Sequence, residues 1–496
     1  MLTDLTFLQT GAPWPPACEK ARIDQYNDNR KLFENDHASI KSGVFKSVFE
    51  RVMRDINASG EPVPPVSYEV VVGYPKLISV STAGLLFNKA PGIVAGKESD
   101  TQAMQAVQDI SERSDLQTVL YTCALDVSRY GTGLLYVRTD EEGKGIVDLT
   151  RPDVWFPVVD AANLRRTLYH VLATPYTVRT AVLGMTVTKQ YLRVEIHSKG
   201  SIEIRDYNLK DGQIGSQEGT PRIQQTGLTD FAVIPVHNLL PSDRVYGLDD
   251  YDDVQSLVCE LEVRIAQISK VLDRHTDPTM QGPEDALTLV EREGQPPARE
   301  FVPGKFYINQ SGGIQGKIEY VTWDAQLEAN FKFMDKIVEL IRVISQMGAL
   351  LSDLSDKSGA IPSGAAMRRM LYGAISKISR IRNNFAPAIK RALRLASMLS
   401  GYSLADKPIY IDWPDTLPRD PLEMAQVAQI RTGSKQTQSV KRAIMDMDEL
   451  NEEDAEAELE AIRDDQAEAM AMLEPVADDD DEEDDGGNEA GGGEGV

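Results

Sequence analysis

The segment "LSDLSDKSGAIPSGAAMRRML", residues 351–371, lies between two strongly helical stretches and consists largely of Ser, Gly, Ala and alternating charges. Such a segment offers little apolar area, and its backbone groups need polar partners, so it cannot be buried as a core element. We therefore expect this segment to be a loop that connects two long helices. Its backbone groups should face water or a polar ligand.

The helix before this connector, residues 325–347, carries two apolar stripes instead of one. A helix that is apolar on two sides needs neighbours on both sides. The preceding helix, with apolar positions at helical spacing between residues 254 and 272, covers only one of them. The other stripe is expected to meet another domain or another subunit. The stripes are Leu327, Phe331, Met334, Val338 and Ile341, and Phe333, Ile337, Leu340, Ile344 and Met347.

The helix after the connector, residues 363–400, is apolar on one face and basic on the other, and we expect Pro387 to kink it. Residues 357–405 contain nine Lys or Arg and no Asp or Glu. Two interpretations stay open: the bases pair with acidic protein such as residues 451–473, or they contact duplex phosphates. Aromatic residues are scarce there, which disfavours stacking on single strands. The candidate contacts are Arg368, Arg369, Lys377, Arg380, Lys390, Arg391 and Arg394.

Charge is segregated along the chain, which has 496 residues and a formal net charge of −25. Residues 474–496 contain eleven acids and no base, and residues 451–473 contain nine acids and one Arg. A Gly-rich acidic tail of this kind is predicted to be disordered. The rest of the chain is nearly neutral, so the overall charge does not exclude a nucleic-acid partner.

Residues 1–245 are predicted to be α+β. Alternating apolar residues predict hairpins around residues 140–143 and 199–200, and a long helical region is expected to begin at Ser99 as its N-cap. Residues 276–324 are rich in Pro and Gly and predict a small α/β insert with strands near 305–308 and 317–323. The length suggests two to four domains or one large subunit.

Motifs for catalysis and metal binding are weak. "GIVAGKES", residues 92–99, lacks the spacing of a phosphate-binding loop. "GLDDYDDV", residues 247–254, can be interpreted as a metal site, but acids that cap a helix N-terminus explain it better. The five His and three Cys are scattered, no run of about 18 apolar residues occurs, and the first ten residues do not resemble a secretory signal. We therefore predict no cofactor, no metal, no membrane contact and no enzymatic activity.

The order of these parts resembles that of the portal proteins of tailed bacteriophages over nearly the whole chain. "YGTGLLYVRTDEEG" is similar to the wing hairpin of that family, and "SGAAMRRML" stands where its tunnel loop meets the long wing helix. "TGSKQTQSVKRAIMDMDELNEEDAEAE" is similar to its C-terminal pattern of a helix, a short break and an acidic helix. The individual motifs have low specificity, and the resemblance rests on their order and spacing along the chain.

The resemblance implies an α+β portal fold that assembles as a ring, typically of twelve subunits. The implied parts are a wing (1–249), a first stem helix (250–274), a clip (275–324), a second stem helix (325–348), a tunnel loop (349–362), a second wing part with the long helix and a strand (363–418), a crown (419–473) and a disordered acidic tail (474–496).

The implied function is a channel at one capsid vertex through which double-stranded DNA is packaged and ejected. The implied partners are a homo-oligomeric ring, transient double-stranded DNA, the terminase large subunit, the major capsid protein, a head-tail connector and a scaffolding protein. The location would be the virion, with the host cytoplasm during assembly. The alternative is another phage head or scaffolding protein. The residues expected to face the channel are Ser352, Asp353, Ser355, Asp356, Lys357 and Ser358.

Overall fold

The structure, a computed structural model, divides the chain into two compact units, Met1–Thr416 and Leu417–Val496. The described residues are 1–36, 55–56, 62–63, 70–97, 100–182, 185–276, 280–282, 288–290, 298–300, 306–308, 319–320, 327–348, 370–402, 404–414, 421–433, 436–448 and 450–471.

The α-helices of the described residues are α1 (Lys20–Glu34), α2 (Tyr74–Phe87), α3 (Thr101–Ser114), α4 (Leu116–Tyr130), α5 (Gln255–Thr276), α6 (Leu327–Ile344), α7 (Tyr372–Leu399), α8 (Pro421–Thr432), α9 (Val440–Asp448) and α10 (Glu452–Ala471).

The strands are β1 (Asp55–Ile56), β2 (Pro62–Val63), β3 (Gly92–Ala95), β4 (Thr132–Thr139), β5 (Gly145–Leu149), β6 (Trp155–Asp160), β7 (Asn163–Val182), β8 (Met185–Ser198), β9 (Ser201–Lys210), β10 (Gln213–Gln225), β11 (Val233–His237), β12 (Met280–Gly282), β13 (Thr288–Val290), β14 (Ala298–Glu300), β15 (Phe306–Ile308), β16 (Glu319–Tyr320) and β17 (Ile409–Asp412).

The main core of the first unit lies between a small sheet and a layer of helices. The sheet has the strand order β11-β4-β5 and is antiparallel. Its buried residues pack against apolar residues of α2, α3, α4 and α7, among them Phe87, Leu120 and Phe385. The mixed architecture confirms the predicted α+β class.

A second, five-stranded antiparallel sheet has the order β10-β9-β8-β7-β6. Its apolar face packs against residues near the N-terminus, including Leu2, Phe7 and Leu8. The two predicted hairpins are confirmed. β4 pairs with β5, and β8 pairs with β9, with Ser198 and Ser201 as the last pair before the turn.

The long helical region predicted to begin at Ser99 is confirmed as helical, but its cap differs from the predicted one and it is divided into two helices. Its start is Thr101, and the carboxylate of Asp100, not Ser99, accepts a hydrogen bond from the backbone N–H of Ala103. The helix also breaks at Asp115, whose φ of 44° is left-handed, so that α3 and α4 are separate helices. Asp and Asn tolerate this conformation better than most residues, but composition alone does not reveal it.

Short strands occupy the described parts of the predicted insert. β12 pairs in parallel with β15 and antiparallel with β16, and β13 pairs with β14. β15 and β16 fall within the two predicted strand segments. The long basic helix continues through Pro387 as part of α7.

The second unit contains α8, α9 and α10. Lys441 on α9 forms ion pairs with Glu452 and Glu456 on α10, at 3.2 and 2.9 Å. Asn451 caps α10, because its side-chain oxygen accepts a hydrogen bond from the N–H of Asp454 at 2.8 Å.

Candidate functional site

The predicted channel residues and the first two bases after them lie outside the described residues. They are Ser352, Asp353, Ser355, Asp356, Lys357, Ser358, Arg368 and Arg369. The structure does describe the helices on either side, since α6 ends at Ile344 and α7 begins at Tyr372. The candidate site is therefore the base of the helical hairpin, where α5 begins, α6 ends and α7 begins.

A buried ion pair joins α7 to the residues that precede α5. Lys377 Nζ lies 2.8 Å from Asp250 Oδ2, and the two side chains are only 3% and 8% exposed. Lys377 Nζ also donates a hydrogen bond to the carbonyl of Ser345, just beyond the end of α6, at 3.4 Å. One ammonium group thus contacts all three segments at the base of the hairpin.

The carboxylate of Asp250 has two further hydrogen bonds. Ser128 Oγ, on α4, donates to Oδ2 at 2.6 Å, and Asn238 Nδ2, just after β11, donates to Oδ1 at 2.8 Å. A buried carboxylate requires such partners because desolvation of a charge costs several kcal/mol. We call Lys377, Asp250, Ser128, Asn238 and Ser345 the Lys377 joint. The Lys377 joint connects the hairpin to α4 in the helix layer and to the end of β11 in the small sheet.

Neutral hydroxyls and apolar side chains surround the joint. Ser79 Oγ lies 2.9 Å from Ser128 Oγ and 2.6 Å from Tyr251 Oη. Burial raises the pKa of the Tyr251 phenol well above its ordinary value, so this group stays neutral. A buried apolar cluster lies nearby and consists of Ile78, Val254, Met347 and Ala374. This environment keeps water away from the charges and strengthens their attraction.

The acidic cluster before α5 supports the capping interpretation. Asp249 Oδ1 accepts hydrogen bonds from the backbone N–H groups of Tyr251 and Asp252, at 2.8 and 2.9 Å. Burial is the main cause that raises the pKa of Asp249 to about 6. Asp250 differs from the expected cap, because it belongs to the ion pair with Lys377. Among the described side chains, no group of three or more His, Cys, Asp or Glu could hold a metal ion.

Lys377 departs from the predicted basic face of α7. It lies three residues after Ala374 and four before Ile381, both buried, so helical geometry places it on the buried face. Its partner is acidic protein, as one of the two open interpretations required, but that partner is Asp250 and not residues 451–473. Lys377 is therefore not available to contact phosphate.

The other described bases of α7 are partly engaged as well. Arg391 pairs with Asp230 at 2.7 Å, and Arg394 donates to the carbonyl of Lys407 at 3.4 Å. Arg380 and Lys390 are half-buried, and within the described residues neither has a hydrogen bond or an ion pair. The five described members of the predicted basic set thus lie in different environments and are not gathered into one site.

The outer stripe of α6 is the second feature at this hairpin. Ile337 and Ile341 are buried against α5, together with Val258 and Leu261. The adjoining flank remains exposed: Phe333 is 47%, Leu340 39%, Val343 66% and Ile344 41% exposed. We call Phe333, Leu340, Val343 and Ile344 the α6 outer stripe. Exposed apolar stripes of this size are typical of interaction surfaces.

The family described as "Phage portal protein, SPP1 Gp6-like" matches residues 16–471 of the sequence. The chain belongs to this portal protein family. Portal proteins are structural components of the virion, so family membership confirms the predicted virion location and the prediction that this portal protein is not an enzyme. No described helix combines the length and apolar character needed to cross a bilayer.

The portal protein is also similar to solved structures from gene transfer agent particles. The neck of a native particle with C12 symmetry has 14% identity and a TM-score of 0.39, over 75% of this chain and 87% of that chain. The virion of a native particle has 12% identity and a TM-score of 0.40, over 81% and 92% of the two chains. No curated protein matches the sequence.

Sequence reasoning missed most of the Lys377 joint. Ser128 and Asn238 belong to no motif, and their role depends on contacts between residues far apart in the chain. One signal was present: a single Lys at a position that helical periodicity assigns to the apolar face of α7 requires a buried acid.

Proposed function

We propose that the portal protein assembles into a closed ring, with twelve copies as the expected number, and that double-stranded DNA passes through its centre. The α6 outer stripe is the observation that supports this best. Four large apolar side chains lie side by side on an otherwise folded chain, and a neighbouring copy would remove them from water. Because they are already partly covered, burial of each would contribute about 1 kcal/mol per subunit.

The charges of the described residues agree with a conduit better than with a tight DNA-binding surface. Each phosphate that a protein neutralises strengthens binding through counterion release, and a ring multiplies each contact. In the portal protein, Lys377 and Arg391 are already neutralised by Asp250 and Asp230. We therefore propose that DNA affinity is low and sensitive to salt, which allows the duplex to move.

The finer assignments follow from the family resemblance. We propose that α5 and α6 are the stem, residues 275–324 the clip that docks the terminase, residues 349–362 the tunnel loop, and residues 419–473 the crown. Ser352, Asp353, Ser355, Asp356, Lys357 and Ser358 would face the channel. The major capsid protein, a head-tail connector and a scaffolding protein are the further proposed partners.

Electron microscopy of the purified full-length protein tests the proposal. The expected result is a ring of about twelve-fold symmetry with a central hole, and particles that remain monomeric at micromolar concentration would refute it. Val343→Asp should abolish rings because it places a carboxylate within the α6 outer stripe. Lys332→Asp is the control for a new carboxylate on α6, since Lys332 is exposed with an exposed partner, Glu328, and lies about three turns before Val343; rings should persist.

A further inference from the structure

Helix α2 has an apolar surface that its own fold leaves uncovered. Its sequence, YPKLISVSTAGLLF, contains Lys76 as the only charged residue. One face is fully buried in the first unit and includes Ile78, Leu86 and Phe87. On the opposite face, Leu77 is 44% and Val80 38% exposed. A helix with apolar side chains on two faces is expected to have neighbours on both.

The exposed face of α2 combines two apolar side chains with two small residues. Leu77, Val80, Ser81 and Gly84 recur at helical spacing, and a Cβ added at Gly84 would meet nothing within 4 Å. We call these four residues the α2 groove. The α6 outer stripe has the opposite character, because it is a ridge of Phe, Leu, Val and Ile side chains. Helices pack when the ridge of one enters the groove of the other.

The two surfaces lie next to the same buried cluster of the first unit. Ile78 of α2 and Met347, just beyond α6, belong to one buried cluster. Leu77 adjoins Ile78 in sequence, and Val343 lies near the end of α6, four residues before Met347. Rotation about a ring axis preserves height, so neighbouring copies contact each other through surfaces at similar levels. The position of the groove and the ridge beside one cluster agrees with this requirement.

We propose that the α6 outer stripe of one copy packs into the α2 groove of the next copy around the ring. The inference rests on the proposed ring and adds its contact surfaces. The contact joins two different surfaces, and such a heterologous contact generates a closed ring when its rotation closes. The large side chains of the α6 outer stripe would fill the space beside Ser81 and Gly84 in the α2 groove. Neither surface needs to bury a charged side chain at the centre of the contact.

Disulfide cross-linking tests the contact in the full-length protein. Cys18 is exposed and is first replaced by Ser, whereas Cys123 and Cys259 are buried and can stay. Val80→Cys and Val343→Cys are then combined in one chain. A disulfide needs Cα atoms about 4.4–6.8 Å apart, so mild oxidation should join copies only if the two helices meet. The expected result is a ladder of covalent oligomers on a non-reducing gel, up to the complete ring.

The matched control combines Val80→Cys with Asp335→Cys. Asp335 is exposed on α6 but lies on its charged flank, away from the outer stripe. This pair should give no ladder, although both thiols are accessible. Equal ladders from the two pairs would indicate random collision and would overturn the proposed contact.

The outcomes separate this inference from the proposed ring. Rings seen by microscopy without a ladder, or with a disulfide inside a single chain only, would overturn the α2–α6 contact and leave the ring intact. Absence of rings even in the Cys18→Ser background would refute the proposed function itself. As a second measurement, Leu77→Asp should reduce ring formation at least tenfold, with an unchanged far-ultraviolet circular dichroism spectrum. Rings that persist in this variant would also overturn the contact.

Discussion

Replacement of Lys377 by Met tests the energetic role of the Lys377 joint. Met fills a similar volume but leaves the carboxylate of Asp250, which is 8% exposed, without a cation. Loss of one partner from a buried pair costs about 3–5 kcal/mol. Because Ser128 and Asn238 still donate hydrogen bonds to Asp250, we expect the lower end, a decrease of about 3 kcal/mol in the free energy of unfolding.

The double variant Lys377→Met/Asp250→Asn isolates the pairing energy. It leaves no uncompensated charge, so its loss should be smaller than the sum of the two single losses by about 2 kcal/mol. The assay is urea unfolding followed by tryptophan fluorescence, at one fixed protein concentration because assembly adds to apparent stability. Lys390→Met is the control, since Lys390 has no ion pair within the described residues, and it should cost less than about 1 kcal/mol.

Two results would refute this reasoning. The first is a Lys377→Met variant whose unfolding free energy lies within about 0.5 kcal/mol of the unmodified protein, the range of ordinary surface substitutions. The second is strict additivity of the two single losses in the double variant, because it would mean that the two charges do not interact. Either result would make the joint a packing feature instead of an electrostatic one.

Three further predictions concern other parts of the chain. Gly131→Ala should cost about 3 kcal/mol or more in thermal unfolding, because φ is +73° and the new Cβ would overlap the backbone of Gly247; Gly143→Ala, with φ +77° and open space around it, should cost only about 1–2 kcal/mol. Burial raises the pKa of Asp126 to about 7, so the folded state keeps a proton that the unfolded chain releases near pH 4, and stability falls as pH rises between these values. Asp126→Asn should therefore melt at a higher temperature than the unmodified protein at pH 8 but not at pH 4. Lys357→Glu should impair DNA packaging in an in vitro packaging assay without changing ring assembly, and normal packaging would remove Lys357 from the proposed channel contacts.

The sequence predicted those features that depend on local periodicity. The apolar positions of α5, α6 and α7, the two hairpins and the second apolar stripe of α6 all follow from residue spacing. The exposure of Phe333, Leu340 and Ile344 agrees with the expectation that α6 needs a neighbour beyond its own hairpin, whereas Ile337 and Met347 of the same predicted stripe are buried within the chain.

Features that depend on distant contacts could not be predicted in the same way. The break at Asp115 rests on one left-handed backbone conformation, and the start of α3 at Thr101 rests on a cap one residue beyond the expected Ser99. The partner of Lys377 precedes α5, so that both α5 and α6 separate the two residues in the sequence. No local pattern can therefore identify it. Helical periodicity assigns Lys377 to the buried face, but only the fold identifies Asp250 as its partner.

The basic stretch of α7 illustrates why composition overstates a binding surface. Residues 370–402 contain six Lys or Arg and no acid. Lys377 and Arg391 are nevertheless paired with acids from other segments, and Arg382 and Arg394 donate hydrogen bonds to the backbone carbonyls of Pro414 and Lys407. A base that is neutralised inside the fold attracts phosphate weakly, since its field is already compensated. The duplex in the proposed channel would therefore meet a much weaker positive field than the sequence suggests, as a conduit for moving DNA requires.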